Sequence, residues 1–559
     1  MKKILALLLA LALTLSAASA LAAEQAPYVD YAFAETTQGW LMGYHQDTTY
    51  IFKGIQYGTA ERFMPAKMVE PWTGVKAALI YGTTSPNSST SVSISSFVDN
   101  MDSDMVQNED CLYLNVWTQA LDATAKKPVV FFLHGGGLSS GASNELACYD
   151  GKNISEYGDM VYVDINHRLN ILGYLDLSAY GEEYKYSGNN GLADTVLALQ
   201  WVHDNIAYFG GDPDNVTIVG QSGGGSKVNA LLGTPAAKGL FHKAMQCSGG
   251  ANGTGTLQED ARVTAAAVVE SCKTIYGLTS DEEAIAKMKT ITMDELYAVA
   301  AAADHVSYDH VIDGDYYPEK TYDAETGKWC DLAKDIPIII SNTFGELQGA
   351  DGTLVMPMLI NMAGASFDPA NPDAFLANVY KPNMTEENML ELVTAKYGDS
   401  TPAILEQFHY GYPCRDTVDV LSVNRARADS TRYALNKYNQ GGAPVYQCVF
   451  SYEYPIMGGI QNYHTGGDLP FWFYNLSTRP YMVQGDEENA YKVAKAAASA
   501  LVAFAYTGDP STEELPWSAF TAENGESMNF DDVSQVISYP DAKMFELMIE
   551  AVGPVRSWF

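Results

Sequence analysis

The stretch from Asn215 to Leu232 constrains this chain more than any other. Val216–Val219 is a short β-branched run of the kind that forms a buried strand, and Ser226–Leu232 has the composition of a helix. Between them stands Gly220-Gln221-Ser222-Gly223-Gly224, a Gly-x-Ser-x-Gly turn. A strand that passes into a helix over so few residues must bend sharply, and glycines flanking the serine leave room for the bend. The side chain at the apex is lifted out of the sheet, which makes Ser222 the candidate nucleophile. So short a pattern can arise by chance in a glycine-rich chain, so the assignment depends on what surrounds it.

Other segments repeat the theme of an apolar strand followed by glycine or helix. Pro128–Leu133 is a continuous apolar run, as expected of a central strand covered on both faces, and it ends in His134-Gly135-Gly136-Gly137. Asp159–Ile165, Lys243–Gly250, Ile336–Ile340 and Pro444–Phe450 read as further strands, while Gly191–Phe209 and Glu488–Tyr506 read as helices. Gly39–Phe52 has the alternation of an antiparallel hairpin, Asn108–Trp117 that of another strand, and Ser85–Ser96 the composition of a surface loop. Strands alternating with helices predict an α/β fold with a mostly parallel, doubly wound sheet. Helical insertions are expected around 258–309 and 373–436 of one domain spanning 24–559.

The first 23 residues combine Lys2 and Lys3, an apolar run from Ile4 to Leu15 and a small-residue segment, the pattern of a secretory signal peptide. No other run has the length of a membrane span, so an exported protein without stable membrane insertion is expected, extracellular or periplasmic. A formal net charge of −35 repels nucleic acid and anionic membranes. The seven cysteines are odd in number and widely spaced; they specify no disulfide connectivity and contain no C-x-x-C pair that would suggest structural zinc.

A serine nucleophile needs a base, and the base an orienting acid. Five histidines follow Ser222: His242, His305, His310, His409 and His464. His464 follows a strand, comes last and stands beside Gly466 and Gly467, which singles it out. Glu346 lies just past the strand ending at Ile340, where sheet enzymes collect functional groups; Asp351 and Asp315 are rival acids. The consecutive glycines after His134 expose backbone N–H groups, so Gly136 and Gly137, with Gly223, are the candidate oxyanion donors. This chemistry requires no metal or organic cofactor, and its partner is a small-molecule ester.

With these residues in place, the chain resembles the type-B carboxylesterases, the esterase and lipase family that includes the cholinesterases. The resemblance rests on Glu109–Val116, the glycine loop ending at Gly137, Asn166–Leu169 with Gly173, Gly188–Leu192, Phe209–Pro213 and Phe504–Pro510, and it covers nearly the whole mature chain. It implies an α/β-hydrolase fold with Ser222, Glu346 and His464 as the triad. The chain departs from the family pattern in having Gln221 before the nucleophile and Gly223 after it, where Glu and Ala are common. An acid expected three residues after the histidine is displaced from Gly467 to Asp468. No cysteine precedes Cys111 to close the usual disulfide loop, and the Ser85–Ser96 loop has no tryptophan, which argues against choline esters. Two alternatives share the fold: a catalytically silent binding or adhesion protein, and a peptidase-like acyl hydrolase. Tyr463, Phe471, Trp472 and Phe473 are candidates either for a substrate pocket or for core packing.

Overall fold

The computed structural model describes residues 29–87, 105–249, 251, 255–304, 306–346, 384–423, 425–455 and 466–553. The signal segment, residues 88–96 of the expected loop, His305, Asp351, Tyr463 and His464 therefore lie outside the described residues.

A single large sheet organises the chain. Its strands are β1 (Asp30–Glu35), β2 (Trp40–Gln46), β3 (Thr49–Gln56), β4 (Tyr113–Thr118), β5 (Lys127–Leu133), β6 (Val161–Ile165), β7 (Gly211–Gln221), β8 (Lys243–Cys247), β9 (Ile338–Thr343), β10 (Val445–Phe450), β11 (Glu526–Phe530) and β12 (Gln535–Ser538). Their order is β1-β2-β3-β4-β6-β5-β7-β8-β9-β10-β11-β12, and a thirteenth, short strand, Val75–Ala77, pairs parallel with β2 off this path. From β6 to β11 every neighbouring pair is parallel, whereas β1 to β4, the β4–β6 pair and β12 are antiparallel. The mostly parallel sheet matches the expectation.

Alternating side chains of the central strands feed two cores, one on each face. Val129, Phe131, Leu133 and Ile218 pack on one side with Leu199 and Val202 of α1 (Asn190–Asn205) and Leu231 of α2 (Gly223–Leu232). Val130, Phe132 and Val219 face the other side and pack with the long helix Glu487–Thr507 through Ala494, Leu501 and Phe504. Continuous apolar strands are what such double coverage requires. Phe471, Trp472 and Phe473 are fully buried in this second core, which settles their role as packing.

The first insertion consists of α3 (Gln258–Tyr276), α4 (Asp281–Met288) and α5 (Met293–Ala301), with α4 and α5 each opened by a reciprocal capping box at Ser280 and Thr292. The described part of the second contains helices Glu386–Tyr397, Thr401–Gly411 and Arg425–Gln440. The first two of these share a small core with the terminal helix Ala542–Val552 and with Phe344, just beyond β9.

The motifs that carry the resemblance brace this frame. Arg168 is almost fully buried and binds Asp194 of α1 through Nε at 2.8 Å and Nη2 at 2.7 Å, and its Nη1 donates to the Met64 carbonyl at 2.6 Å. Asn115 donates to Asp164 at 2.6 Å and accepts from the Gly54 N–H at 2.8 Å, tying β4 to its two neighbours. Ser85, expected on a surface loop, is instead buried, and its hydroxyl accepts from the Leu169 N–H at 3.1 Å.

Candidate active site

Ser222 occupies the junction of β7 and α2 with φ 56° and ψ −120°, a left-handed conformation unusual for a residue with a Cβ. The surrounding glycines make that bend sterically possible. A Cβ on Gly220 would lie 2.2 Å from the Gly224 carbonyl oxygen, and one on Gly224 would lie 2.0 Å from that of Leu133. The Ser222 N–H donates to the Cys247 carbonyl at 2.8 Å, pinning the turn to the end of β8. Ser222 is half-buried, whereas Gly223, Gly224 and Gly225 are buried. The helix begins at Gly223, three residues before the sequence suggested, because close approach to the sheet outweighs the poor helix propensity of glycine.

The turn after β5 lies directly alongside. Gly136 (φ 83°) and Gly137 (φ 64°) are exposed, and neither N–H has an acceptor among the described residues. The Gly136 carbonyl accepts from the Ser140 N–H at 3.0 Å and the Ser139 N–H at 3.3 Å, which fixes the turn. A Cβ on Gly223 would fall 2.5 Å from Gly137 N and 2.2 Å from Gly137 O, so the three glycines expected to supply oxyanion donors share one small region. Gly223 also opens α2, where first-turn N–H groups lack intrahelical acceptors and carry the positive end of the helix dipole.

Glu346 follows β9, two strands from β7, and is buried with φ 48°. Its Oε1 accepts from Asn342 Nδ2 at 2.9 Å and from the Thr343 N–H at 3.0 Å. Burial pushes the carboxyl up from 4.5 to about 7, and the nearby Asp468 carboxyl adds to the rise against the hydrogen bonds that oppose it. Asp468 is itself fully buried, accepts from Trp472 Nε1 at 2.9 Å and from the Ser341 hydroxyl at 3.4 Å, and is pushed by burial to about 6. Asn342, Ser341 and Asp468 were not assigned from sequence as partners of the acid; their one sequence signal is their place at the end of an apolar strand and beside the histidine loop.

His464 lies outside the described residues, as does the whole segment 456–465. Its flanks converge on the site: the Phe344 N–H donates to the Phe450 carbonyl at 2.9 Å, and a Cβ on Gly466 would stand 3.3 Å from Cδ of Gln221. The described rivals lie in other settings. His242 accepts from the Val216 N–H at 3.2 Å in the middle of β7; His310 is buried between the rings of Tyr174 and Tyr317; His409 stands on the helix Thr401–Gly411. Asp315 is exposed and pairs with Lys185 at 2.6 Å and Tyr186 at 2.7 Å.

None of the seven cysteines is joined in a disulfide, and Cys414 is the exposed one. Cys414, Asp531 and Asp532 form the one cluster of potential metal ligands among the described residues, on the surface. No helix among the described residues is long and apolar enough to cross a membrane.

Comparison with known proteins agrees with this geometry. The sequence profile of the carboxylesterase family matches residues 30–547. The para-nitrobenzyl esterase of Bacillus subtilis (strain 168) is 31% identical, the match covering 93% of this chain and 99% of the esterase. The phenmedipham hydrolase of Pseudarthrobacter oxydans is 30% identical, with 88% and 93% covered. Among solved structures, an esterase from anaerobic Clostridium hathewayi, described as able to hydrolyze aliphatic aromatic polyesters, superposes with a TM-score of 0.80 at 35% identity, covering 94% of this chain and all of that one. With an α/β-hydrolase sheet and a serine turn at its centre, the chain belongs to the carboxylesterase family and is a carboxylic ester hydrolase.

Proposed function

We propose that the chain is an exported serine esterase in which Ser222, His464 and Glu346 form the triad, and Gly136, Gly137 and Gly223 the oxyanion hole. The observation that carries the reading is the strained Ser222 turn set against the unpartnered N–H groups of Gly136 and Gly137. His464 takes the proton of the Ser222 hydroxyl as its oxygen attacks the ester carbonyl. The glycine N–H groups receive the charge that develops on the carbonyl oxygen, and each such donor is worth about 2.7–4 kcal/mol in the barrier. His464 then protonates the departing alcohol, and water activated by the same imidazole releases the acid and restores the serine. Glu346, costly to ionise alone, becomes an anion more readily beside an imidazolium, which couples its charge to the step that needs it. The apolar leader at residues 1–23 supports export.

The test is hydrolysis of p-nitrophenyl acetate and butyrate by the native chain and by Ser222→Ala. The native chain is expected to release p-nitrophenol and the variant to lose nearly all turnover; a variant that keeps it would refute the nucleophile. An aliphatic-aromatic polyester film belongs in the panel, given the activity described for the Clostridium hathewayi relative. Peptide p-nitroanilides distinguish a peptidase.

A further inference from the structure

Lys227 stands five residues after Ser222 on α2 and is fully buried, yet the reaction outlined above gives it no chemical part. A buried ammonium is unfavourable unless it is bonded. Its one hydrogen bond among the described residues runs from Nζ to the His134 carbonyl at 3.0 Å. That carbonyl opens the turn Gly135-Gly136-Gly137. The first turn of α2 is seated on the same strand end, since a Cβ at Gly224 would fall 2.0 Å from the Leu133 carbonyl oxygen and 2.9 Å from that of His134. Lys227 makes a second contact one helical turn further on, so helix and loop are joined at two points.

The charges around the ammonium fit this attachment. The imidazoles of His134 and His167 lie with ring centroids 5.0 Å apart, and both are held well below the usual histidine range by burial and then by the Lys227 charge, so they stay neutral. Burial draws the lysine itself down to about 7, and Glu145 is the acid that opposes the fall.

We propose that Lys227 is a positioning residue for ester hydrolysis: through the His134 carbonyl it ties the glycine turn to the nucleophile helix and holds the Gly136 and Gly137 N–H groups where the oxyanion forms. This rests on the assignment of Ser222 and the glycine turn made under Proposed function. The bond acts on donors used in the transition state, so its loss appears in kcat and not in KM.

The test compares Lys227→Met, which keeps length and loses the donor, with Lys227→Gln, which keeps a neutral donor. With p-nitrophenyl butyrate, Lys227→Met is expected to lower kcat by about 10- to 100-fold with KM within about twofold, and to weaken inhibition by a trifluoromethyl ketone by a similar factor. Lys227→Gln is expected to recover most of the loss. If Lys227→Met does not give a native circular dichroism spectrum, Lys227→Ala takes its place against Lys227→Gln. A folded donorless variant with native kcat, a rise in KM at unchanged kcat, or equal losses in the donorless and Gln variants would each overturn the inference. Full activity in Lys227→Met with none in Ser222→Ala overturns this inference alone, whereas full activity in Ser222→Ala overturns the assignment beneath it.

Discussion

Glu346→Gln should make the protein more stable, and increasingly so as pH rises. In the native chain burial lifts this carboxyl from 4.5 to about 7. Below pH 4.5 the group is protonated whether the chain is folded or not, and it adds no pH dependence. Between 4.5 and 7 the unfolded chain releases the proton while the folded chain retains it, so stability falls as pH rises. Above 7 the full loss is in place, on the order of 3 kcal/mol, and most of it accrues between pH 5 and pH 8. Glutamine keeps an oxygen for Asn342 Nδ2 and the Thr343 N–H, which both bond Oε1, and carries no charge to desolvate. Urea unfolding followed by tryptophan fluorescence at pH 5, 6, 7 and 8, for both chains, measures the difference. The gap should widen in favour of glutamine by roughly 2 kcal/mol while p-nitrophenyl butyrate turnover at pH 8 drops. A gap that stays constant within about 0.5 kcal/mol, or that narrows with pH, would refute the reasoning.

Asp468→Asn removes both a buried carboxyl that is itself raised to about 6 and the neighbouring charge that raises Glu346, so stability should fall less steeply as pH rises, read from the same urea series. Asp194→Ala leaves the buried Arg168 guanidinium without its carboxylate and should cost about 3–5 kcal/mol in urea unfolding. Gly224→Ala sets a methyl 2.0 Å from the Leu133 carbonyl oxygen, and overpacking of this kind should cost about 1–3 kcal/mol and lower kcat. Ellman's reagent should titrate one thiol in the folded chain, Cys414, and seven in guanidinium chloride, with melting unchanged by dithiothreitol. Activity should fall below about pH 6–7 as the base becomes protonated, in a pH–rate profile of kcat/KM.

The central sheet was legible because burial on both faces writes itself as unbroken apolar runs: Pro128–Leu133 lies within β5, and Val216–Val219 within β7. The edges were less so. No element beyond the helix Glu488–Tyr506 is assigned from the sequence, so β11, β12 and the helix Ala542–Val552 are missed, as is β1. Of the site, Ser222 and the glycine turn could be found because steric demand at a tight bend leaves few residue types available. The surroundings of Glu346 could not: Asn342 stands only four residues before it, but the left-handed turn at Glu346 that brings the two side chains together is not written in the residue types, and Asp468 comes from 122 residues further along the chain (468 − 346). Lys227 was passed over because a lysine on a helix is usually solvated. The hint was that no other charged residue occurs between Gly223 and Leu232, as expected of a helix enclosed on all sides.

Five consecutive positions in the sheet, β5, β7, β8, β9 and β10, run in the same direction and finish at one rim, yet each is reached by a separate crossover. The helical excursions 258–301 and 386–440 leave and rejoin the frame between those finishing points. Lengthening or exchanging an excursion can therefore change what is built between those finishing points without breaking the strands that carry the serine turn and the glycine turn. Such a division lets one unchanging reaction be offered to esters of very different bulk.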